Sequence, residues 1–132
     1  MSVERVNPPE LAKPAGFSHA VVGSGTTVFL AGQTSMDRTG AIVGETVVEQ
    51  FRQALTNLLT ALRGAGGSPD QLASVTIYST ELADYRAHAR EIGAVWRELV
   101  GTHYPAMAGI GVSRLWDDDA KVEIQGFAVL GG

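Results

Sequence analysis

In the run KVEIQGFAVL, residues 121–130, the alternation of a strand places Glu123, Gln125 and Phe127 on one face and Val122, Ile124, Gly126, Ala128 and Leu130 on the other. The second face is core. The first sets a carboxylate and an amide beside a phenylalanine, a costly arrangement if buried without partners. Glu123 is the first candidate; the strand pattern alone leaves open what it faces, and one reading is an edge carboxylate paired with Lys121 or Arg114. His19 is a second candidate, because an imidazole binds anions and carries protons near neutral pH; its alternative is a satisfied structural histidine. His88, on a polar helix flank, and His103, in a loop, carry less, and three histidines without repeated spacing predict no metal site.

Other tempting patterns read as turns. GSGTT and GAGG lack the lysine and the strand-loop-helix setting of a phosphate loop. The Asp117–Asp119 run lacks the spaced ligands of a calcium loop and reads as a solvated hairpin connection. No Ser-His-Asp order stands out.

These residues must be positioned by a chain of 132 residues, enough for one hydrophobic core and one domain, 1–132. Charged residues make up 18%, against about 25% in average soluble domains, so less surface than usual is destined for water and an oligomer is expected. The net charge of -4, with no Lys/Arg cluster, argues against nucleic acid as a partner. The absence of cysteine suits a reducing compartment. MSVERVNPPE has no apolar signal core, and the longest apolar runs fall far short of the roughly 20 residues that span a bilayer. The expectation is a cytoplasmic protein with no membrane partner.

Residues 1–16, with Pro8, Pro9 and Pro14, read as an extended arm. Two apolar runs around GSGT predict a β-hairpin, and DRTG at 37–40 a turn. From Thr46, the spacing of Phe51, Ala54, Leu55, Leu58, Leu59 and Leu62 predicts an amphipathic helix ended by Gly64. SPD restarts the chain, and LASVTIYST is a strand with Val75 and Ile77 on one face. A second helix carries Tyr85, Ala89, Ile92, Val95, Trp96 and Leu99 and stops at Gly101; two strands, joined across WDDDA, complete the order ββαβαββ. This is an α+β domain with helices on one face of a mixed sheet. The other face has no cover in one chain, and burial between subunits is the simplest remedy.

From GFSHAV and FLAGQTSMDRTGAIVG, through VTIYSTELADY, to YPAMAGIGVSRLWDDDAKVEIQGFAV, the chain resembles the reactive-intermediate deaminase (Rid) family, also called YjgF-like or endoribonuclease L-PSP-like. The resemblance implies a chorismate-mutase-like fold, a homotrimer with ligand clefts between subunits, and hydrolysis of enamines and imines of small 2-amino acids without cofactor or metal. It places Glu123 in the cleft, near the attacking water. Active members grip the substrate carboxylate with an arginine after a Pro-Ala pair; here Pro105 and Ala106 are followed by Met107. Arg114 matches a different arginine, and its odd separation from Met107 puts it on the opposite face of a regular strand.

Further positions drift from the family pattern. Phe17 stands for a tyrosine, Ala31 for the serine before Gly32 and Gln33, Gln125 for a second glutamate, and Ala89 or a neighbour for an asparagine. His19 shares strand parity with Phe17 and is carried as a catalytic candidate beside Glu123. Phe17, Ala31, Gly32, Met107, Ala108, Gly109 and Gln125 are the candidate substrate-binding residues, the backbone around Gly32, Ala108 and Gly109 supplying donors. Loss of a charge-assisted contact worth about 1.5–3 kcal/mol argues against proficient hydrolysis of 2-iminopropionate and predicts a less acidic substrate. Three readings follow: a Rid-like imine or enamine hydrolase with an altered pocket, a noncatalytic small-molecule-binding trimer, and, less favoured by the acidic charge balance, a ribonuclease or translation inhibitor.

Overall fold

The computed structural model describes residues 3–131. Its strands are β1 (Val3–Val6), β2 (Ala20–Gly23), β3 (Thr26–Gln33), β4 (Leu72–Ser79), β5 (Ala106–Gly111) and β6 (Val122–Leu130); its helices are α1 (Val47–Gly64), α2 (Leu82–Ala87) and α3 (Ala89–Leu99). A four-stranded mixed sheet runs in the order β3-β6-β4-β5, antiparallel except for the β4/β5 pair, and β1 and β2 form a separate two-stranded ribbon. The α+β class is as expected.

Helix α1 starts where the period changes. Thr46 accepts a hydrogen bond from the Glu49 backbone N–H at 3.1 Å, and the Glu49 carboxylate accepts one from the Thr46 N–H at 3.0 Å, so two donors at the helix start are satisfied reciprocally. The stripe from Phe51 to Leu62 is buried against Leu72, Val75 and Ile77 of β4 and Val122, Ile124 and Ala128 of β6. Ile92, Val95 and Trp96 bring α3 into the same core.

Several connections differ from expectation. GSGT does not close a hairpin: β2 pairs with β1, within the proline-bearing arm, and β3 pairs with β6. The segment after β5 is likewise no hairpin, because β4 lies between β5 and β6. Local turn residues specify a reversal; the pairing partner is chosen by long-range burial. Gly66, not Gly64, takes the left-handed conformation (φ +91°) after α1, and the Gly67 N–H then returns to the Leu62 carbonyl at 2.9 Å. The second helix is interrupted at His88 (φ −108°, ψ 23°), whose ring Nδ1 hydrogen-bonds the Asp84 carbonyl at 2.9 Å, the same carbonyl that accepts the His88 N–H at 3.1 Å. The DRTG turn forms as expected, with Asp37 accepting from the Thr39 and Ala41 N–H groups.

One buried side chain ties these pieces together. Gln50, 2% exposed, donates to the carbonyls of Gly44 and Asp119, both at 3.1 Å, and accepts from the Lys121 N–H at 2.8 Å. It joins the approach to α1 to the entry of β6. Gln50→Leu keeps the volume but removes three hydrogen bonds, leaving the Lys121 N–H and the Gly44 and Asp119 carbonyls without their partner. Urea denaturation of that variant is expected to show a loss of about 2–4 kcal/mol, well beyond an exposed substitution.

Candidate active site

The pleat divides the candidate residues between two faces of the sheet. On β5, Met107 and Gly109 pair with Val75 and Ile77 of β4, whose side chains lie under the helices. The chain at residues 16–19 runs along the free edge of β5. Ser18 bridges to Ala106, its N–H donates to the Pro105 carbonyl at 2.9 Å, and its hydroxyl donates to the Tyr104 carbonyl at 2.6 Å. Phe17 is thereby set beside Met107, Ala108 and Gly109, with which it lines a depression of about 300 Å3. An adjoining cavity of about 230 Å3 extends from Met107 between β4 and the helices, towards Tyr85, Ile92, Trp96 and Arg97.

Tyr85 belongs to both spaces and stands edge-on to Phe51, ring centroids 5.9 Å apart. Burial pushes its phenol up to about 12, so the hydroxyl stays protonated at any physiological pH. Ala89 opens onto the same cavity. A longer polar side chain there would project into it.

Glu123 lies on the other face, directly opposite Tyr78 of β4. Between Leu30 and Gln33 the β3/β6 register slips, and this bulge brings the Gly32 backbone against the Glu123 side chain. A Cβ on Gly32 would stand 3.0 Å from the Glu123 Cδ and 3.2 Å from its Cγ, and closer still to Oε2. Only glycine leaves that space. The carboxylate is half-buried and has no hydrogen bond or ion pair among the described residues; Lys121 Nζ instead donates to the Glu45 carbonyl at 2.7 Å. Arg114 lies past the end of β5, in a loop beside Glu81 and Asp118, so strand parity does not place it. Ala31 and Gln125 are exposed on the Glu123 side.

The face bearing Glu123 has no cover in one chain. Phe29 is 76% exposed, Ile110 41% and Phe127 39%, and the rings of Phe29 and Phe127 meet edge to face at 5.4 Å. The structure therefore brings Phe17, Met107, Ala108 and Gly109 together, and separately Ala31, Gly32, Glu123 and Gln125. His19 lines neither cavity. Its Nε2 hydrogen-bonds the Ala12 carbonyl at 2.7 Å, its backbone N–H donates to Asn7 at 2.8 Å, and its ring stands 5.1 Å from Phe17, fastening the arm to the cavity wall.

Sequence reasoning placed Tyr85 and Trp96 in a core stripe and passed over Gln50, Arg97 and Tyr104. The signal for the tyrosine and tryptophan was their polar tips, which ask for partners even when the ring is core. No group of three His, Asp or Glu side chains among the described residues is placed to hold a metal ion. None of the described helices is long and apolar enough to cross a membrane.

This α+β architecture is that of the YjgF-like folds: a Rid-family protein of Yersinia pestis superposes with a TM-score of 0.86 at 33% identity, covering 98% of this chain and 100% of the other. The family model described as Endoribonuclease L-PSP matches residues 9–130, and the chain belongs to that family, the Rid or YjgF family. A RutC family protein of Pyrococcus horikoshii is 33% identical over 88% of this chain and 89% of its own length. A 2-iminobutanoate/2-iminopropanoate deaminase of Dermatophagoides farinae is 30% identical over 98% of this chain and 99% of its own. Escherichia coli TdcF, solved with bound serine, has a TM-score of 0.71 at 28% identity, over 90% of this chain and 91% of its own.

The raised Tyr85 phenol has a measurable consequence. The folded state holds its proton more tightly than the unfolded chain, whose tyrosines titrate near 10. Stability fully present below pH 10 is thus expected to fall by about 3 kcal/mol as pH rises towards 12. Spectrophotometric titration should show one of the three tyrosines ionising late, and Tyr85→Phe should remove that late step.

Proposed function

We propose that the protein is a Rid-like hydrolase of a small imine or enamine, with an altered pocket and a substrate other than the usual amino-acid-derived imines. The observation that carries this reading is the Glu123 carboxylate, half-buried, seated against Gly32 and left without a protein partner. A group so placed is available to a water. It accepts the water's proton as the oxygen attacks the imine carbon and passes it to the imine nitrogen, giving a carbinolamine; transfer of the hydroxyl proton to that nitrogen then lets the C–N bond break, releasing a carbonyl compound and ammonia. The relatives named as deaminases support the reaction class.

The division of the site between two sheet faces favours assembly. Within one chain Glu123 cannot reach the Met107 cavity through the sheet, whereas a neighbouring chain laid on the apolar face of Phe29, Phe127 and Ile110 brings the two halves together. A homotrimer with clefts between subunits satisfies this need. Phe17 and Met107 then form the apolar wall, the backbone at Gly32, Ala108 and Gly109 offers hydrogen bonds, and His19 holds Phe17 and the arm in place.

A second reading, a noncatalytic small-molecule binder on the same clefts, draws on the apolar character of Phe17, Ala31 and Met107. Ammonia release from a panel of enzymatically generated imines separates the two. Glu123→Ala is expected to lower turnover by about 10²–10⁴-fold with the oligomer intact by sedimentation, and equal turnover by variant and wild type would remove the hydrolase reading. Gly32→Ala should leave thermal stability nearly unchanged, because the atom its methyl meets is the free end of a side chain. Turnover in that variant is nevertheless expected to drop by up to about 10²-fold as the carboxylate is displaced.

A further inference from the structure

We infer that Arg97 supplies the anion contact that Met107 cannot, so that the cavity between β4 and the helices takes a small carboxylate with an apolar body. The inference rests on the reading that the Met107 cavity is the ligand site. Arg97 and Met107 line one cavity, Arg97 reaching it from the last turn of α3.

The guanidinium folds back along its own helix. Its Nη1 lies 3.3 Å from where a Cβ on Gly93 would stand, one turn earlier, and Gly93 is itself part of the cavity wall. A side chain at 93 would push it away from the opening. No carboxylate or other acceptor engages Arg97 among the described residues, whereas Arg52 is held bidentately by Glu98 at 2.7 and 3.1 Å. A planar, permanently charged fork without a protein partner at a cavity mouth is matched to a carboxylate.

The interior supplies the rest of the specificity. Phe51, Ile77, Ile92 and Met107 are apolar, and Trp96, 4% exposed, lines the same space; its indole N–H is buried and finds no acceptor among the described residues. The volume of about 230 Å3 is below the roughly 300–1,000 Å3 of drug-sized sites, which sets the scale at a small metabolite. An anion at the mouth and a branched aliphatic or aromatic body inside match the guanidinium and the apolar walls. Loss of arginine at 107 alone predicts a less acidic ligand; Arg97 reverses that expectation by moving the charge from the strand to the helix.

The test compares 4-methylpentanoate with its neutral isostere 4-methylpentanamide on the full-length protein, by calorimetry and by the Trp96 indole N–H resonance. Trp116→Phe, at a position 94% exposed, assigns that resonance. The carboxylate is expected to bind at least about tenfold more tightly than the amide and to shift the Trp96 signal. Arg97→Gln should cancel that advantage, leaving amide binding unchanged, and Arg97→Lys should restore part of it. Equal binding of the two probes, no binding of either, or unchanged carboxylate affinity in Arg97→Gln overturns the inference. Arg97-dependent binding in a protein that releases no ammonia from any imine would keep the anchor and remove the hydrolase reading. Ammonia release indifferent to Arg97→Gln would keep the hydrolase reading and remove the anchor.

Discussion

The buried amide of Gln50 is the constraint on which the arrangement of this molecule turns. Its three hydrogen bonds link Gly44, ahead of the α1 cap, to Asp119 and Lys121 in the connection that leads into β6. The Gln50 side chain is itself shut off from water, so leaving its amide unpaired is costly and the entry of β6 is held at one register. Register matters because side chains alternate: a slip of one residue would turn Glu123 into the core and bring Ile124 to the open face. A single glutamine thereby fixes which face receives the carboxylate.

A second consequence follows from the strand order. With β4 and β6 central, every side chain on them faces either the helices or the open sheet surface. The apolar cavity at Met107 is on the first side and Glu123 on the second. On the proposed reading, a chain of this topology cannot complete its site alone, and burial of the exposed phenylalanines against a second copy is what would bring the two halves together. The pressure to bury an apolar sheet face and the proposed assembly of a reactive cleft are the same physical demand.

On the proposed reading, the pocket differs from the family pattern while the fold is kept. Met107 occupies its position as an adaptable filler against the core, and the phenylalanine at 17 retains a ring without a hydroxyl. Neither change disturbs the α1 stripe or the β4 pairing that hold the backbone in place. The inferred anion contact comes instead from α3, where Gly93 frees the surface across which the Arg97 guanidinium lies. Helix and strand walls of one cavity are interchangeable sources of a side chain, provided each reaches the same opening.

What the sequence by itself determined was local: the change of period at Thr46, the Phe51–Leu62 stripe, the Asp37 turn, the alternation of β6 and the methionine after Pro105-Ala106. Family membership followed from these same runs. Only the tertiary structure decided that β2 leaves β3 for β1, that β4 separates β5 from β6, that His19 is spent on the arm, and that Arg97 joins Met107 at one cavity. The reason is physical. Helical and strand periodicities are local consequences of backbone geometry, whereas strand partners and cavity walls are settled by burial between residues that the chain brings together from far apart.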